Sequence, residues 1–357
     1  MQQIQTISGK NILEGNYTWI SPSNIALVKY WGKHGNQMPA NPSLSFSLSE
    51  CFTQSTLEFT KKDKPGGLNI EVELDGVPSA SFKEKILTFF NKVINDLPII
   101  TEYNFKLKTH NSFPHSSGIA SSASGMSALV LCLITLEADT EGYEKGDEFY
   151  RRASYFSRIA SGSACRSIYG GMVEWGRHTE IPESHDMYAI PYPFEPHPVF
   201  NTYCDTILLI HEGAKSLSSS AGHELMHRHP FARQRFEEAR HNLSKLVSII
   251  RAGDVEEFGK IVEKEAMMLH ALMMCSEPPY VLMKPNTLAS IDKIWQYRRE
   301  TKTPVHFTLD AGANVHVLYP AAHKVEIEQF IAAELAGFCE NKKYICDTVG
   351  TGPVFLG

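Results

Sequence analysis

The sequence predicts a mixed α and β protein of two domains, and three observations carry that prediction. At 357 residues the chain exceeds what one hydrophobic core usually serves. Strand-like and amphipathic helical runs occur on both sides of one proline-dense stretch. That stretch, Ile190-Pro191-Tyr192-Pro193-Phe194-Glu195-Pro196-His197-Pro198, loses backbone donors at four positions, which forbids regular pairing. It is the best boundary, dividing the chain into residues 1–195 and 196–357.

Each element has a local reason. Ser21 to Lys33 is a strand-like apolar run that ends in two lysines flanking aromatics, and residues 52–60 and 68–74 read as strands. Phe82 to Ile94 has the apolar spacing of an amphipathic helix, and helices also fit 124–137 and 147–160. Beyond the boundary, Thr206 to His211 reads as a buried strand, followed by charged amphipathic helices at 230–251 and 254–274. Asp254 stands where an N-cap belongs, with Glu257 at the capping-box position. No internal repeat or low-complexity tract interrupts this order.

Composition excludes several classes. A net charge of -6 argues against a nucleic-acid partner, since duplex binding relies on clustered Lys and Arg. Seven cysteines without a Cys-x-x-Cys pair read as reduced thiols. Met1-Gln2-Gln3-Ile4-Gln5-Thr6 lacks the regions of a signal peptide, and no apolar run is read as reaching membrane-spanning length. The expectation is a soluble, cytoplasmic protein with a small-molecule substrate and no membrane partner.

The chemistry concentrates in four segments. Asn111-Ser112-Phe113-Pro114-His115-Ser116-Ser117-Gly118-Ile119-Ala120-Ser121-Ser122-Ala123-Ser124-Gly125 is a small-residue loop opening onto an apolar helix. Unpaired N–H groups and the positive end of a helix dipole make such a loop suited to phosphates. It is not a Walker loop, because the Gly-Lys pairs at Lys10, Lys33 and Lys260 are not followed by Ser or Thr. Alone, it is more often a capped helix start. Its weight comes from Ser21-Pro22-Ser23-Asn24-Ile25-Ala26-Leu27-Val28-Lys29-Tyr30-Trp31-Gly32-Lys33, from Ser161-Gly162-Ser163-Ala164-Cys165-Arg166-Ser167, and from Thr308-Leu309-Asp310-Ala311-Gly312-Ala313-Asn314.

In this order the four segments resemble the GHMP kinase superfamily, and within it the mevalonate diphosphate decarboxylases. Pro114-x-x-x-Gly118-x-x-Ser121-Ser122-Ala123 matches the phosphate loop of the superfamily, while Lys29-Tyr30-Trp31-Gly32-Lys33 and Ser161 to Ser167 look specific to the decarboxylases. The resemblance implies an α+β GHMP kinase fold. Its first domain would be of the ribosomal protein S5 domain 2-like type and its second ferredoxin-like, with the site in the cleft between them. It implies ATP and Mg2+ as cofactors and phosphorylation of a tertiary 3-hydroxyl, followed by joint loss of phosphate and carbon dioxide. Asp310 would accept the hydroxyl proton, Lys29 would support that carboxylate and offset phosphoryl charge, and Arg166 would hold the departing carboxylate. Ser161 and Ser163 would contact the substrate, and Tyr30 and Lys33 its 5-diphosphate. Pro114, Ser117, Gly118, Ala120, Ser121 and Ser122 would bind the nucleotide, with Ser121 on magnesium. The oligomeric state stays open, a homodimer included.

Three departures touch that pattern. Ser81-Phe82-Lys83-Glu84-Lys85 stands where members place an arginine on the distal phosphate, Met226 where they have a threonine, and Ala313 where a proline is usual. The first two leave room for a 5-monophosphate substrate yielding isopentenyl phosphate. Two other readings compete. His223-Glu224-Leu225-Met226-His227 matches the zinc-hydrolase His-Glu-x-x-His pattern, against which Pro230 cuts the helix short. A non-catalytic binding protein of the same fold would be expected to lack Asp310, Lys29 or Arg166, and all three are present.

Overall fold

The computed structural model describes residues 9–114, 119–213 and 219–357. Strand β1 (Glu14–Val28) runs antiparallel to the long β2 (Ser43–Lys61). Their register shifts between Pro22 and Asn24 and again between Ala26 and Val28. Such irregularities re-aim side chains, and they fall where the chain approaches Lys29. Next come β3 (Ile70–Leu74), α1 (Ala80–Val93) and β4 (Tyr103–Asn111). β4 lies antiparallel to β2 and parallel to β3. Helices α2 (Ser121–Glu141) and α3 (Asp147–Ala160) follow, then β5 (Met172–Trp175), which extends the sheet alongside Ser43–Phe46 of β2.

α2 packs on β1 and β2, and its side chains from Ala123 to Ala138 are buried. Here one expectation needs correcting: this 21-residue helix is long and apolar enough to cross a membrane. It is the core helix of the first layer, with Met126, Leu129, Val130 and Leu133 packed among Leu57, Phe89, Phe105 and Phe149. The proline-dense stretch needs a second correction, because Ile190–Pro191 does pair with Val173 and Glu174. The pairing is two residues long and lies at a sheet edge, where a missing N–H costs no ladder bond.

The second sheet contains β6 (Cys204–Leu208), then after α4 (Ala232–Ala252), α5 (Val255–Met274) and α6 (Pro285–Thr301) come β7 (His306–Leu309), β8 (Val315–Tyr319) and β9 (Tyr344–Thr348). Its order is β7-β8-β6-β9, antiparallel throughout. The Asp254 carboxylate accepts the Glu257 N–H at 3.1 Å and caps α5 as the sequence predicts. The two sheets share one apolar core: Phe46 of β2 lies 6.1 Å from the Tyr203 ring and 6.2 Å from that of Phe258, with Leu318 in the same cluster. A last short strand, β10 (Val354–Phe355), returns to pair with Trp19 and Ile20 of β1. All seven cysteines lie among the described residues and are free.

Candidate active site

A cleft of about 470 Å³ opens where the end of β1, the head of α2, the turn after α3 and the end of β7 converge. Lys29, Tyr30, Lys33, Ala120, Ser121, Ser122, Ser161, Ser163, Arg166 and Asp310 all line it. Segments separated by up to the breadth of the chain are thus brought to one wall. Pro114 does not line it, and Ser117 and Gly118 lie outside the described residues.

The phosphate-loop side is built from helix geometry. Ala120 sits at the head of α2 with φ 47° and ψ 35°, a left-handed conformation that costs a non-glycine residue energy. The first free N–H groups of a 21-residue helix therefore start at the cleft wall. Ser122 and Ser161 hydroxyls are 2.9 Å apart, and the Lys85 ammonium donates to Ser122. Lys85 lines the cleft whereas Lys83 is exposed on α1, so of the two lysines only Lys85 faces the site. Burial pushes the Lys85 ammonium down to about 8.

Lys29 is held by its own backbone. Its N–H donates to Glu265 at 2.9 Å, and its carbonyl accepts from Arg235 at 3.0 Å and Asn41 at 3.0 Å. Arg235 grips Glu265 through two bonds of 2.9 and 2.6 Å, and Asn242 adds a third to the same carboxylate at 2.6 Å. Two helices of the second layer therefore fix a residue at the end of a first-layer strand. The ammonium donates to the Ala26 carbonyl. Burial pushes it down to about 8, against the support of the Asp310 and Glu265 carboxylates.

Arg166, buried in the 3-10 turn Gly162–Ile168, donates to Ser43 at 2.7 Å and Asn24 at 3.2 Å. Asn24 in turn donates to Ser167 at 2.8 Å, which fixes the guanidinium plane. Asp310 follows β7 directly, and its carbonyl accepts from His270 at 3.1 Å and from the Gly312 N–H at 2.7 Å. Those two bonds set where the half-buried carboxylate emerges. The Tyr30 hydroxyl is buried with no hydrogen-bond partner among the described residues, a deficit that a bound polar ligand would relieve.

Sequence reasoning missed Asn24, Trp31, Gln37 and Leu269 in this wall and assigned His223 elsewhere. His223 is buried, and its Nδ1 accepts the Gly32 N–H at 3.0 Å. His227 lies beyond the end of the helix at Leu225, in a separate turn, half-exposed beside Glu224 at 3.5 Å. The helical spacing that would aim both imidazoles at one metal is therefore broken. No group of three metal-ligating side chains occurs among the described residues. Met226 is buried under Trp31 and Ala311, beside the cleft wall rather than in it.

Two family models match the chain, one for a diphosphomevalonate decarboxylase-like N-terminal domain over residues 21–189 and one for a mevalonate 5-diphosphate decarboxylase C-terminal domain over residues 206–353. The diphosphomevalonate decarboxylase of Ganoderma lucidum is 30% identical over 87% of this chain and 80% of that protein. The Bos taurus protein of the same name is also 30% identical, over 84% of this chain and 76% of its own. Among solved structures, a complex of MDDEF with MVAPP, AMPPCP and magnesium superposes with TM-score 0.81 at 25% identity, covering 96% of this chain and 99% of that one. The mevalonate diphosphate decarboxylase from Staphylococcus aureus gives TM-score 0.81 at 25% identity, over 97% and 99%.

Proposed function

This chain belongs to the diphosphomevalonate decarboxylase family, and from that premise we propose that it converts mevalonate 5-diphosphate to isopentenyl diphosphate. ATP is consumed, and ADP, phosphate and carbon dioxide are released. The observation that carries the reading is the convergence of Asp310, Lys29 and Arg166 with the head of α2 in one cleft. Lys85 facing that cleft supplies a cation where the distal phosphate lacks the arginine of other members.

The residues fit a nucleotide triphosphate: the left-handed Ala120 presents the helix start, and Ser121 and Ser122 add hydroxyls. Ser121 would be the protein's ligand to magnesium, the remaining positions falling to phosphate oxygens and water. When bound, the nucleotide supplies the phosphoryl group that turns a tertiary hydroxyl into a leaving group.

This chain's own residues do the rest. The Asp310 carboxylate accepts the proton of the 3-hydroxyl and orients its oxygen. Lys29 keeps that carboxylate in place and offsets charge on the phosphoryl group being transferred. Arg166, its plane set by Ser43 and Asn24, grips the substrate carboxylate until the carbon–carbon bond breaks. Ser161 and Ser163 add hydroxyls to the substrate, and Tyr30 and Lys33 take its phosphorylated end.

A coupled ADP-release assay with mevalonate, its 5-phosphate and its 5-diphosphate tests the reading. With Mg2+ and ATP, equal amounts of ADP, phosphate and carbon dioxide are expected from the 5-diphosphate. ADP without carbon dioxide would make this a plain kinase, and better turnover of the 5-phosphate would make isopentenyl phosphate the product.

A pH profile follows from the buried Lys29 and the partly buried Lys85. Both must carry charge in the free enzyme, and both are held down to about 8, so their charged forms persist below that pH and are lost above it. Log kcat/KM should therefore fall above pH 8 with a limiting slope near two, as expected for two groups that each remove one order per pH unit. Lys85→Arg, which stays charged, should reduce that slope to about one. A parent profile flat to pH 10 would contradict the assignment.

A further inference from the structure

The short helix Ser219–Leu225 delivers His223 to the cleft wall in a defined protonation state. Gly32, at φ 101°, aims its N–H at Nδ1, and a ring nitrogen that accepts a hydrogen bond carries no proton. The neutral ring therefore bears its proton on Nε2, for which the described residues provide no acceptor. Tilted packing between two aromatic rings confines the imidazole, whose centroid is 4.3 Å from that of Tyr30 at 39° and 4.6 Å from that of Trp31 at 36°. Gly222 permits this seating, because a Cβ there would come within 2.6 Å of the Trp31 ring. Burial, then the Lys33 charge, hold the imidazole down to about 3, so it remains neutral across the working range.

The surroundings identify what that donor meets. Lys33 is the charged group acting most strongly on the ring, ahead of Asp310 and Arg166. Arg166 is already committed to Ser43 and Asn24, whereas Lys33 has a 3.8 Å contact with the largely exposed Glu224. A fixed N–H beside a loosely paired ammonium, with the unpartnered Tyr30 hydroxyl against the same ring, forms an anion-binding corner distinct from the carboxylate grip.

We propose that His223 is a further substrate-contacting residue, donating its Nε2–H to a phosphate oxygen at the phosphorylated end of the substrate alongside Lys33. The proposal rests on the decarboxylase reading above. It makes a histidine drawn from a zinc-like pattern into a neutral hydrogen-bond donor that sets how firmly the substrate is held.

Steady-state kinetics of the full chain, with inorganic pyrophosphate as a competitive probe of the phosphate end alone, test it. Loss of one charge-assisted hydrogen bond in His223→Leu should raise KM for mevalonate 5-diphosphate about tenfold and weaken pyrophosphate inhibition by a similar factor. KM for ATP should stay within about twofold of the parent, because uniform binding at one end is what is lost. His223→Gln, which restores an N–H donor, should recover most of both effects. An active parent with an unchanged KM in His223→Leu overturns the proposal alone, as does a KM for ATP that rises equally, which signals a collapsed wall. A parent that releases no carbon dioxide from either phosphorylated mevalonate removes the decarboxylase reading and this inference together.

Discussion

Asp310→Asn is expected to lower turnover at least about a thousandfold, about 4 kcal/mol of barrier, while leaving ATP affinity close to that of the parent. The substitution is isosteric. The bonds that place residue 310, from His270 and Gly312 to its carbonyl, involve backbone and survive it. What disappears is the negative charge that accepts the hydroxyl proton and that pairs electrostatically with Lys29. Single-turnover measurements of carbon dioxide release, with nucleotide binding followed by calorimetry, separate the chemical step from binding. Near-parent turnover would remove Asp310 from the mechanism. Loss of nucleotide affinity in step with turnover would mean that the change acts on the fold of the cleft.

Glu265→Leu should cost about 3–5 kcal/mol of stability, because it leaves Arg235 buried and unpaired. Both side chains are almost fully buried, at 1% and 0% exposure. It also strips the acceptor from the Lys29 N–H and from Asn242. The double variant Arg235→Met, Glu265→Leu replaces the ion pair with apolar groups and should recover the part of the loss due to the unpaired guanidinium, the Lys29 N–H and the Asn242 amide still lacking their acceptor. Its turnover should nevertheless stay at least about a hundredfold below the parent, since the clamp on the Lys29 backbone is gone and small misplacements are costly in catalysis. Thermal melts beside kcat decide the matter. If stability and turnover recover together, the network supports the fold and does not position Lys29.

Much of the site was legible because the chemistry-bearing residues sit in short, dense segments. Lys29, Arg166 and Asp310 each lie in such a segment, and all three reach one cleft. Helices with strong apolar periodicity were readable to within a few residues, as at Ala80–Val93 and Asp147–Ala160. The choice between Lys83 and Lys85 was not open to the same periodicity. Lys83 falls three residues before the buried Ile86 and seven before Phe90, while Lys85 falls four before Phe89, so both flank the apolar face. The first half of β2 was hidden because its serines invert the usual pattern: Ser43, Ser45 and Ser47 are buried and donate to the carbonyls of Trp175, Val173 and Gly350. No local pattern could have shown the Glu265 clamp or the bond from Gly32 to His223, since each joins positions roughly two hundred residues apart.

Strand β10 has a consequence for how this chain is made. β1 is made shortly before β2 and the helix that covers it, but its other edge waits for Val354 and Phe355, far downstream of both. Until those residues leave the ribosome, Trp19 and Ile20 present open backbone groups, the kind of edge that recruits neighbouring strands. The last strand thus acts as a closing seam. Nascent chains stalled before it should be the ones that self-associate, even though every residue of the cleft has by then been translated.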